Sequence, residues 1–158
     1  KAVASNPNIF LFKDAITLFD DLSFEVIGAL AANINAPMFP EYKKLFTYRM
    51  EYVRVRVAKN PNATRFEEYR LLFNDNLESV RSATAANRCA PSFKEFASLI
   101  DDLSFQVKIN FAANPNAPLF PEYLILFENE GQHFISDFLN NPNSKIFEPI
   151  LQRFLSEN

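Results

Sequence analysis

Glycine occurs only twice in these 158 residues, tryptophan not at all, and cysteine and histidine once each. Two glycines cannot build a glycine-rich phosphate loop. The lone Cys89 excludes an intrachain disulfide and has no CxxC partner, and the lone His133 excludes a zinc site needing several histidines. No EF-hand spacing is present. No run approaches the ~20 apolar residues that span a bilayer, and no signal peptide is visible. The first residue is Lys1 rather than Met, as in a processed protein or an excised segment. Sixteen basic against nineteen acidic side chains, a net charge of −3, argue against a nucleic-acid partner. No cofactor is implied. With so little glycine, Asn and Pro must make the turns, and Asn tolerates the left-handed backbone that glycine usually supplies at helix ends.

What the chain has in excess is phenylalanine, eighteen residues of it. The apolar fraction is 48 % and the charged fraction 22 %, the composition of a globular domain able to bury a core. Phenylalanine in such number fits two interiors: a ring-packed core, or an apolar cavity walled by rings.

The rings fall in a register. Phe12, Phe39, Phe66, Phe93, Phe120 and Phe147 are each 27 residues apart, as are Asn6, Asn33, Asn60, Asn87, Asn114 and Asn141. Three places after the Phe come Tyr42, Tyr69, Phe96 and Tyr123; six places after come Leu18, Leu45, Leu72, Leu99 and Leu126; seven places after come Phe19, Phe46, Phe73, Ile100, Phe127 and Phe154. Apolar offsets of 0, 3, 7, 10, 14 and 18 follow helical spacing. The expected fold is therefore all-α: one domain over residues 1–158 made of six 27-residue units beginning near 12, 39, 66, 93, 120 and 147. The stretches Phe12–Met38 and Phe93–Leu119 agree at 15 of 27 positions, which suggests a duplication into halves 1–86 and 87–158.

Asn-Pro-Asn linkers such as Lys59-Asn60-Pro61-Asn62 stop a helix, because the residue before Pro is pushed out of the helical region. Asn then caps the next helix. Pro37, Pro40, Pro91, Pro118 and Pro121 suit a first turn, and Glu41, Glu68, Glu95 and Glu122 suit a helix N-terminus. Two helical patterns fit a unit: one helix of about 20 residues, roughly 30 Å long, or two short ones broken at Asp20-Asp21-Leu22-Ser23 and Asp101-Asp102-Leu103-Ser104. The second unit, with Phe46-Thr47-Tyr48-Arg49-Met50, has no such break, which favours the single helix. The alternating run Tyr52–Val57 resembles a strand, but its repeat equivalents do not alternate, so helix is expected there too.

The Asp pairs recur at matching positions, which fits caps better than catalytic carboxylates. Cys89 stands where other units have Asn and reads as a linker variant, and His133 reads as a surface residue. No catalytic or metal-binding residue is assigned, and an enzyme is not expected. Positive charge concentrates in the second and third units. There Arg49, Arg54 and Arg56 form either a solvated face or an anion-recognising patch for a membrane, a lipid headgroup or an acidic partner. Residues that line a ligand should be apolar and lie where the units differ: Phe24, Phe105, Ile109, Phe111, Phe134 and Phe138.

The stretch Ser98-Leu99-Ile100-Asp101-Asp102 through Phe111-Ala112-Ala113-Asn114, followed by Pro121-Glu122-Tyr123-Leu124, resembles the insect allergen-related repeat family. That family includes the cockroach group 1 allergen and insect midgut microvillar proteins. The resemblance implies an all-α, secreted protein enclosing fatty acid or phospholipid in a large apolar cavity between duplicated halves, with no catalytic residues to carry over. The leading expectation is thus an extracellular lipid carrier. Its rivals are a helical-repeat scaffold that binds a protein through its surface, and a structural or storage protein.

Overall fold

The computed structural model describes residues 1–147. These residues are all-α, with no strand among them. Four nine-residue α-helices recur at 27-residue intervals: α1 (Phe24–Ala32), α2 (Glu51–Lys59), α3 (Glu78–Ala86) and α4 (Phe105–Ala113). A longer α5 (Tyr123–Asn140) follows. Between consecutive helices from α1 to α4 run a short and a long 3-10 helix, for example Ala90–Ser92 and Lys94–Asp101 between α3 and α4, and between α4 and α5 only the short Ala117–Leu119. Each element packs on its counterpart one repeat away: α1 on α2, α2 on α3, α3 on α4 and α4 on α5. The chain is a stacked coil whose contacts are nearly all between neighbouring turns. The start of the last expected unit, Phe147, is described; its Ile150 and Phe154 lie outside the described residues.

The single 20-residue helix per unit is not what forms. The long 3-10 segments explain why. Phe39, Tyr42 and Leu45, or Phe66, Tyr69 and Leu72, are spaced by threes, and a helix of three residues per turn puts all of them on one side. The break before the α-helix is an Asp turn. Asp21, Asp75 and Asp102 accept from the backbone N–H of Ser23, Leu77 and Ser104 at 2.7, 3.0 and 2.8 Å. In the second unit Tyr48 replaces that Asp, yet the chain still breaks there, because Arg54 reaches back from α2 to the Tyr48 carbonyl at 2.7 Å. Among the described helices only α5 runs through the position. The run Tyr52–Val57 is helical, as the repeat requires.

Asn ends the α-helices without left-handed backbone, contrary to the expectation from glycine scarcity. Among the described residues none has positive φ. Asn33, for instance, is extended at φ −72°, ψ 120°. Its carboxamide does the turning: Asn33 Oδ1 accepts from Asn35 N at 2.9 Å, as Asn60 Oδ1 does from Asn62 N at 3.0 Å. The other end of the same side chain joins successive turns of the coil. Asn33, Asn60, Asn87, Asn114 and Asn141 each donate Nδ2 to the carbonyls 27 and 29 residues earlier, in Asn87 to Asn60 O at 3.3 Å and Ala58 O at 2.7 Å. The ladder crosses residues 86–87 with the same partners as elsewhere.

Inside the coil the rings face one another. Tyr42 stacks on Phe66 at 5.8 Å, Tyr69 on Phe93 at 5.4 Å and Tyr123 on Phe147 at 6.1 Å between centroids. Phe73 meets Phe96 edge-on at 6.5 Å. The buried tyrosines are not polar orphans, since Tyr42, Tyr69 and Tyr123 donate to the carbonyls of Ala31, Ala58 and Ala112 at 2.7, 2.8 and 2.9 Å. Burial pushes all three phenols far above the ordinary tyrosine range, against the lowering effect of Asn60, Asn87 and Asn141 respectively. Because the folded values are raised, the stability these phenols contribute is intact below the unfolded value of about 10 and is lost as pH rises beyond it. A spectrophotometric phenolate titration should therefore ionise Tyr42, Tyr69 and Tyr123 only on alkaline unfolding. Ionisation of these three in a protein still helical by circular dichroism would contradict this interior.

Candidate functional site

A broad surface depression lies on the α-helical face, between α2 and α3. Met50, Glu51, Tyr52, Val55, Arg56, Lys59 and Ser79 line a groove of about 710 Å³, with more carbon than polar atoms at its surface. Its shape follows from which residues stand in register along the coil. Where α2 carries Tyr52 and Val55, α3 carries Ser79 and Ser82, and α1 carries Glu25 and Gly28.

Gly28 is one of the chain's two glycines and decides where Tyr52 goes. A Cβ at Gly28 would sit 2.7 Å from Tyr52 Cε2 and 2.9 Å from Arg56 Nη1. Without it, Tyr52 leans onto α1, packs edge-on against Phe24 at 6.3 Å and donates its hydroxyl to the Phe24 carbonyl. The Arg56 guanidinium lies 5.5 Å from the Tyr52 ring centroid, a cation–π contact. With Tyr52 drawn toward α1 and only Ser79 opposite, the space between α2 and α3 stays open. Desolvation raises the Tyr52 phenol above its ordinary value against the pull of Arg56, with Tyr48 and Glu25 adding to the rise, so it remains a protonated donor. Glu51, on the groove's rim, accepts from the Ser79 hydroxyl.

The candidates drawn from the sequence do not converge. Phe24 and Phe105 head α1 and α4, each about half exposed at 53 % and 50 %. Those helices are three steps apart, on the order of 25–30 Å at the usual 8–10 Å between packed helices, so the two rings cannot line one cavity. Ile109 packs partly buried against the core. Phe111 is wholly buried and stacked on Phe96 at 4.9 Å, a core residue. Phe134 and Phe138 lie on α5, and their side chains fall outside the described residues.

The three arginines also part company. Arg49 and Arg56 are exposed, but Arg54 is not available to a headgroup or membrane. It makes a two-armed ion pair with Asp75 at 2.6 and 3.0 Å, with side chains only 11 % and 9 % exposed. Arg81 repeats the arrangement one turn along, on Asp102 at 2.6 and 3.1 Å. A cleft of about 360 Å³ at that joint has the paired Arg81 and Asp102 in its lining. The Asp pairs thus split: Asp21 and Asp102 make turns, and Asp20 pairs with Lys44 at 2.7 Å. Cys89 is exposed in its linker and His133 is exposed beside Phe105, at 5.9 Å between ring centroids. Among the described residues no group of three His, Cys, Asp or Glu gathers to hold a metal, and no helix is long and apolar enough to cross a membrane.

Sequence reasoning missed Gly28 and Tyr52. The signal was present in the rarity of glycine, since Gly28 occupies the register of Val55, Ser82 and Ile109. Comparison with known proteins adds no relative: no protein-family model, no curated protein and no solved structure matches the chain.

Proposed function

We propose that this protein is a helical-repeat scaffold that binds a protein partner through the groove between α2 and α3. The observation that carries this reading is an open, largely apolar groove with Tyr52 at its floor, above an interior whose rings stack on each other. A coil of this kind builds a long surface from repeated positions and gains specificity where the repeats differ. Tyr52, Val55 and Arg56 are such differences, standing against Glu25, Gly28 and Ala29 in α1 and Ser79, Ser82 and Ala83 in α3. Aromatic and arginine side chains beside an apolar floor are the residue types that dominate binding energy at interfaces.

The test is a peptide-display selection against the purified protein, with the Val55→Asp variant as its counterpart. A charge on the groove floor should weaken the selected peptides by about tenfold or more while the helical content is unchanged. Selected peptides that bind wild type and variant alike would overturn the groove as the interface. The lipid-carrier reading makes the opposite demand of native mass spectrometry: fatty acid or phospholipid retained near one-to-one would displace the scaffold.

A further inference from the structure

The groove wall carries a positive excess, opposite in sign to the chain as a whole. Residues 39–65 supply its α2 wall and hold seven basic side chains against two carboxylates, Glu41 and Glu51, in a chain of net charge −3. Two of the seven are already neutralised, Arg54 by Asp75 and Lys44 by Asp20. Arg56 and Lys59 face the groove, and among the described residues neither has an ion pair; Arg56 has only the Tyr52 ring beneath it. Glu51 lines the same groove and keeps its charge while accepting from Ser79, so the lining holds two cations against one carboxylate; Glu41 belongs to the 3-10 helix Pro40–Leu45 rather than to the groove.

We propose, resting on the scaffold reading, that the groove's partner is an acidic peptide segment with one aromatic or aliphatic anchor. The anchor lies on Met50, Tyr52 and Val55, and carboxylates beside it meet Arg56 and Lys59. Arg56 is suited to a two-armed contact with a carboxylate, since the cation–π contact leaves its N–H groups free at the ring's edge. The basic wall draws an acidic segment in over a Debye length and repels a basic one, so binding weakens as salt rises.

Fluorescence anisotropy with the whole protein tests this, using a short labelled peptide that carries a central Phe between runs of Glu. Saturable binding should fall by about tenfold in Arg56→Glu/Lys59→Glu, and the peptide with Lys in place of Glu should not bind. Raising NaCl from 50 to 300 mM should weaken the wild-type affinity but not the double variant's, where salt screens a repulsion instead of an attraction. Equal binding of the Glu and Lys peptides, or no loss on charge reversal, overturns the proposal. So does preferential binding of phosphatidylserine vesicles, which would assign the basic wall to a membrane surface. If display selection yields groove-dependent peptides without acidic residues, the scaffold reading stands and the acidic partner falls.

Discussion

Asn60→Ala lowers the stability of the protein by about 3 kcal/mol, the summed cost of lost and unpaired buried hydrogen bonds. Asn60 is 4 % exposed and its carboxamide is used at every corner: Nδ2 donates to Asn33 O at 2.9 Å and Ala31 O at 3.2 Å, and Oδ1 accepts from Asn62 N at 3.0 Å. Tyr42 Oη lies 3.1 Å from Nδ2 as well. Alanine leaves the Asn62 N–H without its acceptor and takes one donor each from Asn33 O and Ala31 O, which keep only Ala36 N and the Tyr42 hydroxyl. Aspartate at the same place is expected to cost more, because it turns a carboxylate oxygen toward two carbonyls and buries a charge. Asn6 supplies the control. It heads the same ladder and makes the same turn to Asn8 N at 2.8 Å, but no preceding carbonyl pair receives its Nδ2 among the described residues. Asn6→Ala should therefore cost about 1 kcal/mol or less. Urea unfolding followed by circular dichroism distinguishes these cases, and equal small losses for Asn6→Ala and Asn60→Ala would show that the ladder does not hold the coil together.

The second large effect is expected at the arginine joints. Arg54→Met should destabilise by about 3 kcal/mol, because removing one partner of a buried pair strands the other. Asp75 would lose both arms of Arg54, and the Tyr48 carbonyl would lose its only donor from α2. Arg54→Met/Asp75→Leu should recover much of the loss, since two apolar groups remove the stranded charge. A double variant that is no better than the single one would place the cost in the Tyr48 carbonyl and in the Leu77 N–H, which loses its Asp75 acceptor. The neighbouring joint adds a pH dependence. Burial pushes the Asp102 carboxyl up, but the Arg81 hydrogen bond and the Ser104 backbone N–H outweigh it, so it titrates below its ordinary value. A depressed carboxylate contributes stability that is present above its unfolded value, about 3.9, and is lost as pH falls through the folded one. Acid should thus loosen the α3–α4 joint, and Asp102→Asn should flatten that part of the stability profile.

The all-α class was legible in the 3.6-like spacing and in the 27-residue register, and the helix stops were legible in Asn-Pro-Asn. Helix type was misread. Offsets of 0, 3, 7, 10, 14 and 18 have α-helical spacing, although the apolar offsets 0, 3 and 6 alone have the period of a 3-10 helix. Neither Tyr48 nor its neighbours signal the break before α2, since the group that enforces it, Arg54, belongs to the following helix. The apolar residues at irregular positions comprise two half-exposed rings, Phe24 and Phe105, the partly buried Ile109 and the core ring Phe111, besides Phe134 and Phe138, whose side chains lie outside the described residues. Irregularity along the chain does not say which positions stand side by side once the turns stack.

By itself the sequence determined what repeats: helical local structure, a Phe and Tyr interior, and Asn at each corner. These follow from short-range physics, the periodicity of apolar groups and the restriction of backbone next to proline. Only the tertiary structure decided what those residues do between turns. An Asn that caps its own helix also holds the previous turn through its second arm, and an Arg that looked free for a partner is spent on Asp75. A missing side chain at Gly28 draws Tyr52 aside and leaves a groove between α2 and α3. Stacking brings together residues 21 to 29 positions apart, and the chemistry of those pairs depends on a register in space that no single repeat contains.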